Sequence, residues 1–172
     1  GKTFLLFTHP RFNGRYIIVA GTLNSKPITV VNLYGPNFDD PLFFQRVFKA
    51  IPNISDTSVI VGGDVNCTLD PLLDKQLSRS LQQSNASVCL NTLMTNLNCV
   101  DIWRLTHPTD RDYSFFSSVH KSYSKIDSFW LDSKLISAAA SVTYHPILIT
   151  DHSPLSMVLK LDNSRQVGDR GA

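Results

Sequence analysis

No run of apolar residues in this chain approaches the ~18 to 20 that a helix needs to cross a bilayer, so the sequence offers no transmembrane helix. Cysteine is sparse: Cys67, Cys89 and Cys99 show no CxxC or other metal-type spacing. An odd count without a pattern predicts buried free thiols in a reducing compartment rather than a disulfide framework. Charge is scarce too, at 17% of residues with a net of +2. Composition therefore names no polyanionic partner, and a phosphate-binding surface would have to come from local placement of basic side chains. Residues 1–8 have a basic start, but their apolar stretch is too short for a signal sequence and no small-residue cleavage site follows. They read as a core strand. Without a signal peptide, the Asn-x-Ser/Thr triplets at Asn53, Asn66 and Asn85 read as chance. With no initiator Met, the chain is expected to be a fragment of something longer.

What is present suits a single globular domain: 172 residues, 42% hydrophobic, with ten Phe. Strand-like runs dominate. Thr3 to Thr8 and Tyr16 to Ala20 are short and apolar, and Ile28 to Tyr34 follows an Asn24-Ser25-Lys26-Pro27 turn, which predicts a hairpin with the run before it. Thr57 to Val61 is β-branched, ends in Gly62-Gly63, and predicts a buried central strand. Tyr113 to Ser117, Lys125 to Leu131, Ser141 to Tyr144 and Leu155 to Leu161 complete the set. Two helices are predicted. Phe44, Val47, Phe48 and Ile51 share one face between Pro41 and Ile51, with Asp39 or Asp40 as cap. Leu90, Leu93, Met94 and Leu97 do the same between about Ser84 and Asn98, with Asn98 closing the helix. Helices this few and this separated favour an α+β fold, a two-sheet β-sandwich flanked by helices, over a doubly wound sheet. Residues 1–161 form the expected domain, and the polar tail 162–172 is expected to be disordered.

Four segments place polar clusters at the ends of apolar strands, where a rigid sheet can hold chemistry that loops make accessible. In Val59-Ile60-Val61-Gly62-Gly63-Asp64-Val65-Asn66, the acid and the amide alternate and on an extended backbone share a side. Asp64 could take a proton or a cation, and Asn66 could donate to a phosphoryl oxygen; a solvated turn is the plain alternative. In Thr150-Asp151-His152-Ser153, a carboxylate for a hard cation adjoins an imidazole that handles protons near neutrality; a strand-initiating turn would look the same. Asp127 lies inside an apolar run and needs a partner there. A His would serve and would be fixed in one tautomer; Lys125 or a backbone amide would also serve. Tyr34 ends a strand at a Gly35-Pro36 turn, well placed for a phosphate contact or simply half-buried.

In this order and spacing, Tyr34-Gly35-Pro36-Asn37, Gly63-Asp64-Val65-Asn66, Ser124-Lys125-Ile126-Asp127 and Asp151-His152-Ser153 resemble the endonuclease/exonuclease/phosphatase superfamily. Tyr113-Ser114-Phe115-Phe116-Ser117 together with Tyr123-Ser124-Lys125-Ile126-Asp127 is similar to its LINE-1-like retrotransposon branch, relatives of the abasic-site endonucleases. Gly14-Arg15-Tyr16-Ile17-Ile18-Val19, Asp101-Ile102-Trp103-Arg104 and His107-Pro108 extend the likeness from Gly1 to about Leu161. The resemblance implies a metal-dependent DNA endonuclease. In it His152 pairs with Asp127, Asp64 orients or deprotonates the attacking water, and Asn66 and Tyr34 hold the scissile phosphate. Asn37 and Ser114 lie beside the substrate, and Asp151 with Asp64 binds Mg²⁺, or Mn²⁺. It also implies DNA as partner, a reverse transcriptase domain downstream, no membrane association, and a nuclear location that follows from the substrate. The family's leading Asn strand and its Gln-Glu-Thr strand, whose Glu is a metal ligand, have no counterpart before Gly1-Thr8. Weakened metal binding, impaired hydrolysis and poor solubility of the isolated chain are expected from that. Phosphatase or RNA nuclease activity, and an inactive nucleic-acid-binding remnant, are the competing expectations.

Overall fold

The computed structural model describes residues 4–7, 14–53, 56–77 and 81–160; the tail expected to be disordered lies outside them. The main sheet has six strands in the order β1-β2-β3-β4-β8-β5. In the chain these are β1 (Phe4–Phe7), β2 (Tyr16–Leu23), β3 (Lys26–Tyr34), β4 (Ser58–Asp64), β5 (Cys99–Asp101) and β8 (Asp127–Asp132). Strands β2 and β3 form the expected hairpin. Leu23 pairs with Lys26, and the two residues between them, Asn24 and Ser25, have φ of 52° and 65°, the left-handed pair that matches strand twist in a tight turn. Among the described strands only β3 and β4 run parallel, so the chain must cross over between them, and helix α1 (Pro41–Lys49) makes that crossing.

Side-chain alternation then divides the sheet into two faces. Tyr16, Ile18, Val31, Leu33, Val59 and Val61 are buried on one. Against them pack Phe43, Phe44 and Val47 of α1, capped by Asp40 through the N–H of Phe43, and Leu90 and Met94 of α2 (Asn85–Asn96), capped by Ser84. Asn98 follows the end of α2 with φ 56°, the left-handed residue that commonly ends a helix. On the other face Ile28, Ile60 and Leu131 gather with Ile102 of the short α3 (Ile102–Thr106), and Val142, Met157 and Leu159 pack against them. Those last residues belong to a ribbon of β9 (Ala139–Tyr144) and β10 (Leu155–Leu159). The fold is α+β, with helices, main sheet and ribbon as its layers; among the described residues the second sheet is this two-stranded ribbon.

The strand expected from Lys125 to Leu131 begins two residues later, as β8 at Asp127 in the main sheet, and the residues just before it form β7 (Ser122–Ser124), which pairs with β6 (Phe115–Ser117) in a separate hairpin. At the changeover the Ser114 hydroxyl accepts the N–H groups of both Ile126 and Asp127, each at 2.9 Å. Gly63 sits beside the same changeover with φ 132°, and a Cβ there would lie 2.0 Å from the Leu33 carbonyl oxygen. Only glycine allows β3 and β4 to come this close.

Candidate active site

Strand register brings the first three groups together. Tyr34 pairs with Asp64 across β3 and β4, and Asp64 pairs with Asp127 across β4 and β8. The three occupy one row on the ribbon side of the sheet, since Ile28, Ile60 and Leu131 lie an even number of residues from them. The fourth group comes from the ribbon. The connection between β9 and β10 carries Asp151 and His152, and it is tied to the β6–β7 hairpin by Phe116 N–H to Asp151 O at 2.9 Å and Ser153 N–H to Ser114 O at 2.7 Å. This places His152 Nδ1 2.9 Å from Asp127 Oδ2. The Phe115 ring lies 4.8 Å from the imidazole and limits its rotation.

Asp64, Asp127 and His152 offer ligand atoms within 4.8 Å of one another. The Asp64 carboxyl is pushed up to about 6, above all by its burial and also by the charges of Asp127 and Asp151; the Asn66 N–H and His152 pull it back only in part. Two carboxylates in a desolvated site leave negative charge that a cation would neutralise, and two oxygens with one imidazole nitrogen suit a hard or borderline divalent ion. The residues fit such a metal.

The remaining site residues differ in how the structure uses them. Asn66 meets Asp64 by turning rather than by strand alternation: its φ is 52°, its N–H donates to Asp64 Oδ1 at 2.8 Å, and its amide donates to Asp64 Oδ2 and to Gly35 O at 3.2 and 2.9 Å. Both amide hydrogens are thus spent within the protein, and Asn66 orients Asp64. Ser114 is fully buried. Its hydroxyl faces inward and accepts the N–H groups of Ile126 and Asp127. Asp151 is exposed and stands outside the three-residue cluster, although its charge reaches Asp64. Tyr34 is exposed, with the Arg15 guanidinium 5.1 Å from its ring centroid. Asn37 is exposed on the rim of a cleft of about 300 Å³ that Asn66, Phe38, Lys75 and Phe115 also line. Lys125 turns away from Asp127: it is buried and bonds Asp101 Oδ2 at 2.5 Å and Ser128 Oγ at 2.7 Å.

Sequence reasoning did not single out Arg15, Lys75 or Tyr144, whose hydroxyl donates to the Asp127 carbonyl at 2.6 Å. Their partners are 17 or more positions away in the chain, and nothing in the local pattern marks them. All three cysteines are free thiols, but only Cys99 is buried as expected, Cys67 and Cys89 being half-buried; desolvation pushes Cys67 up to about 12, so its thiol stays protonated beside the site.

Solved structures share this fold. The chain superposes on the AP endonuclease LMAP from Leishmania major with a TM-score of 0.70 and 20% identity, over 87% of this chain and 55% of that one. It superposes on the endonuclease domain of TRAS1, a telomere-specific non-LTR retrotransposon, with a TM-score of 0.65 and 13% identity, over 92% of this chain and 68% of that one. In sequence it is 28% identical over 153 residues to the Transposon TX1 uncharacterized 149 kDa protein of Xenopus laevis, a match covering 86% of this chain and 12% of that protein. No protein-family model matches the chain.

Proposed function

We propose that this chain is the endonuclease domain of a retrotransposon and hydrolyses phosphodiester bonds in DNA with the help of a divalent cation. The observation that carries the reading is the row Tyr34–Asp64–Asp127 closed by His152. In-line attack of water on a phosphodiester builds negative charge on the non-bridging and leaving oxygens, and fixed donors and cations lower that barrier. Asp64, oriented by Asn66 and pushed up to about 6, aligns the water and takes its proton. His152 has Nδ1 engaged with Asp127, which leaves Nε2 to face the phosphate. Tyr34, exposed at the rim with Arg15 against its ring, offers a phenol donor to a phosphoryl oxygen. Asp64 and Asp127 would hold the ion, Mg²⁺ or Mn²⁺, with Asp151 adding charge at the rim; when bound, it would supply positive charge to the phosphoryl group. Phosphate contacts position the duplex without reading its sequence. The product is a nick with a free 3′-hydroxyl, which a reverse transcriptase carried by the longer protein would extend, in the nucleus.

Nicking of supercoiled plasmid in Mg²⁺ or Mn²⁺, abolished by EDTA and by His152→Ala, is the expected result. The rival reading is DNA binding without hydrolysis. Salt-dependent DNA binding by a folded chain that never nicks would decide for that rival.

A further inference from the structure

The carboxylate of Asp127 faces His152, but the placing of that carboxylate depends on its peptide, and the peptide is held from two sides. Its N–H donates to Ser114 Oγ at 2.9 Å; its carbonyl accepts from the Tyr144 hydroxyl at 2.6 Å. Tyr144 does not belong to the sheet that carries Asp127. It ends β9, the ribbon strand that feeds directly into the connection bearing Asp151 and His152. Its backbone is in register with Leu155 across the ribbon, and the next residue, His145, closes the connection by donating its N–H to Pro154 O at 2.9 Å. One phenol therefore spans the two layers at the point where acid and imidazole must meet.

The surroundings of that phenol are ordered. Its ring stands edge-on to Trp103, with centroids 4.9 Å apart and planes at 73°. The Ser128 hydroxyl lies beside it and receives the Lys125 ammonium at 2.7 Å, while Lys125 is anchored by Asp101. Burial, together with the charges of Asp101 and Asp127, pushes the phenol well above its usual range, so it keeps its proton near neutral pH.

We propose that Tyr144 is a positioning residue for the Asp127–His152 pair, its hydroxyl fixing the spacing between sheet and ribbon and hence the reach from carboxylate to imidazole. Its consequence for hydrolysis rests on the function proposed above; the positioning itself does not. A merely structural tyrosine would contribute to stability and leave the imidazole indifferent to the loss of one oxygen atom.

The test uses the full chain carrying Tyr144→Phe. Long-range ¹H–¹⁵N spectra of the His152 ring, recorded without metal, report which nitrogen carries the proton, and plasmid nicking reports kcat and KM. The expected wild-type result is one set of signals, with the proton on the nitrogen that faces Asp127. In Tyr144→Phe the two ¹⁵N signals move toward those of interconverting tautomers, and kcat falls about three- to tenfold at unchanged KM, the size expected for one lost hydrogen bond. Unchanged His152 signals and unchanged kcat in Tyr144→Phe, even with a lowered Tm, overturn the proposal. Should Tyr144→Phe not fold, Tyr144→3-fluorotyrosine keeps the shape and strengthens the donor. It must then shift the His152 Nδ1–H resonance, and a resonance that stays in place overturns the proposal equally. A wild-type chain that does not nick removes the proposed function, while the spectra still decide the positioning.

Discussion

His152 Nδ1 stands 2.9 Å from Asp127 Oδ2, although the two residues are 25 positions apart and lie on different layers. The Asp fixes which imidazole nitrogen is left free, so the two act as one unit. His152→Ala and Asp127→Ala are each expected to slow nicking by about a hundredfold or more. The double variant should be little worse than either single, because removing one member already disables the pair. Single-turnover nicking rates of the three variants check this. A double loss equal to the product of the single losses would show that the residues contribute separately.

Asp64 links the site to stability. In the unfolded chain it titrates near its ordinary 3.8, and in the folded protein near 6, so between these values the folded state binds more protons. Its contribution to stability is therefore fully present below about pH 4 and is lost as pH rises through about 6. Ionised Asp64 burdens the metal-free fold at neutral pH by roughly 1–3 kcal/mol. Asp64→Asn lifts that burden, offset in part by the weaker contact it makes with the Asn66 amide. Urea midpoints of the variant and the wild type should converge near pH 4 and separate near pH 7 with the variant more stable, while nicking is lost. A less stable variant at neutral pH would contradict the desolvation argument.

Protons and a cation compete for the same carboxylate. If Asp64 is a ligand, apparent Mn²⁺ affinity should weaken by up to about tenfold for each pH unit below about 6. Calorimetric or electron paramagnetic titration of Mn²⁺ across that range measures it directly. Affinity that does not vary with pH would remove Asp64 from the ligand set, and affinity unchanged in Asp151→Ala would leave that exposed residue outside it.

Much of this was legible in the sequence where physics is local. The spacing of Phe44, Val47 and Phe48 gave α1 its buried face because helical periodicity needs only neighbours four residues away. Asn24-Ser25 gave the hairpin turn for the same reason. The short β5 and α3 escaped notice because three and five residues are too few to show a period. Asp64 and Asn66 were expected to meet by strand alternation, but the strand ends at Asp64 and Asn66 reaches back from a left-handed turn. Ser114 reads as a polar residue beside the site and proves to face inward, because the demand comes from two N–H groups 12 and 13 positions on. Long-range pairing decides such cases, and one sequence does not display it.

Lys125 shows the same limit and supplies the last prediction. Two positions from Asp127 in an apolar run, it is a natural partner for that acid by sequence, yet consecutive odd positions at a strand changeover need not share a face. Here β8 begins only at Asp127, and the lysine is carried instead toward Asp101, on the neighbouring β5. Both groups are largely withdrawn from water, with side-chain exposures of 1% and 12%. Removing one member leaves the other charged and unpaired, so Lys125→Met should cost about 3–5 kcal/mol. Replacing both, as Lys125→Met with Asp101→Asn, should recover part of that loss, since the surviving amide is neutral and can still cap α3 through the Arg104 N–H. Chemical denaturation of the two variants tests the pair. A double variant no more stable than Lys125→Met would mean that the hydrogen bonds around Ser128, rather than charge balance, make the ammonium necessary.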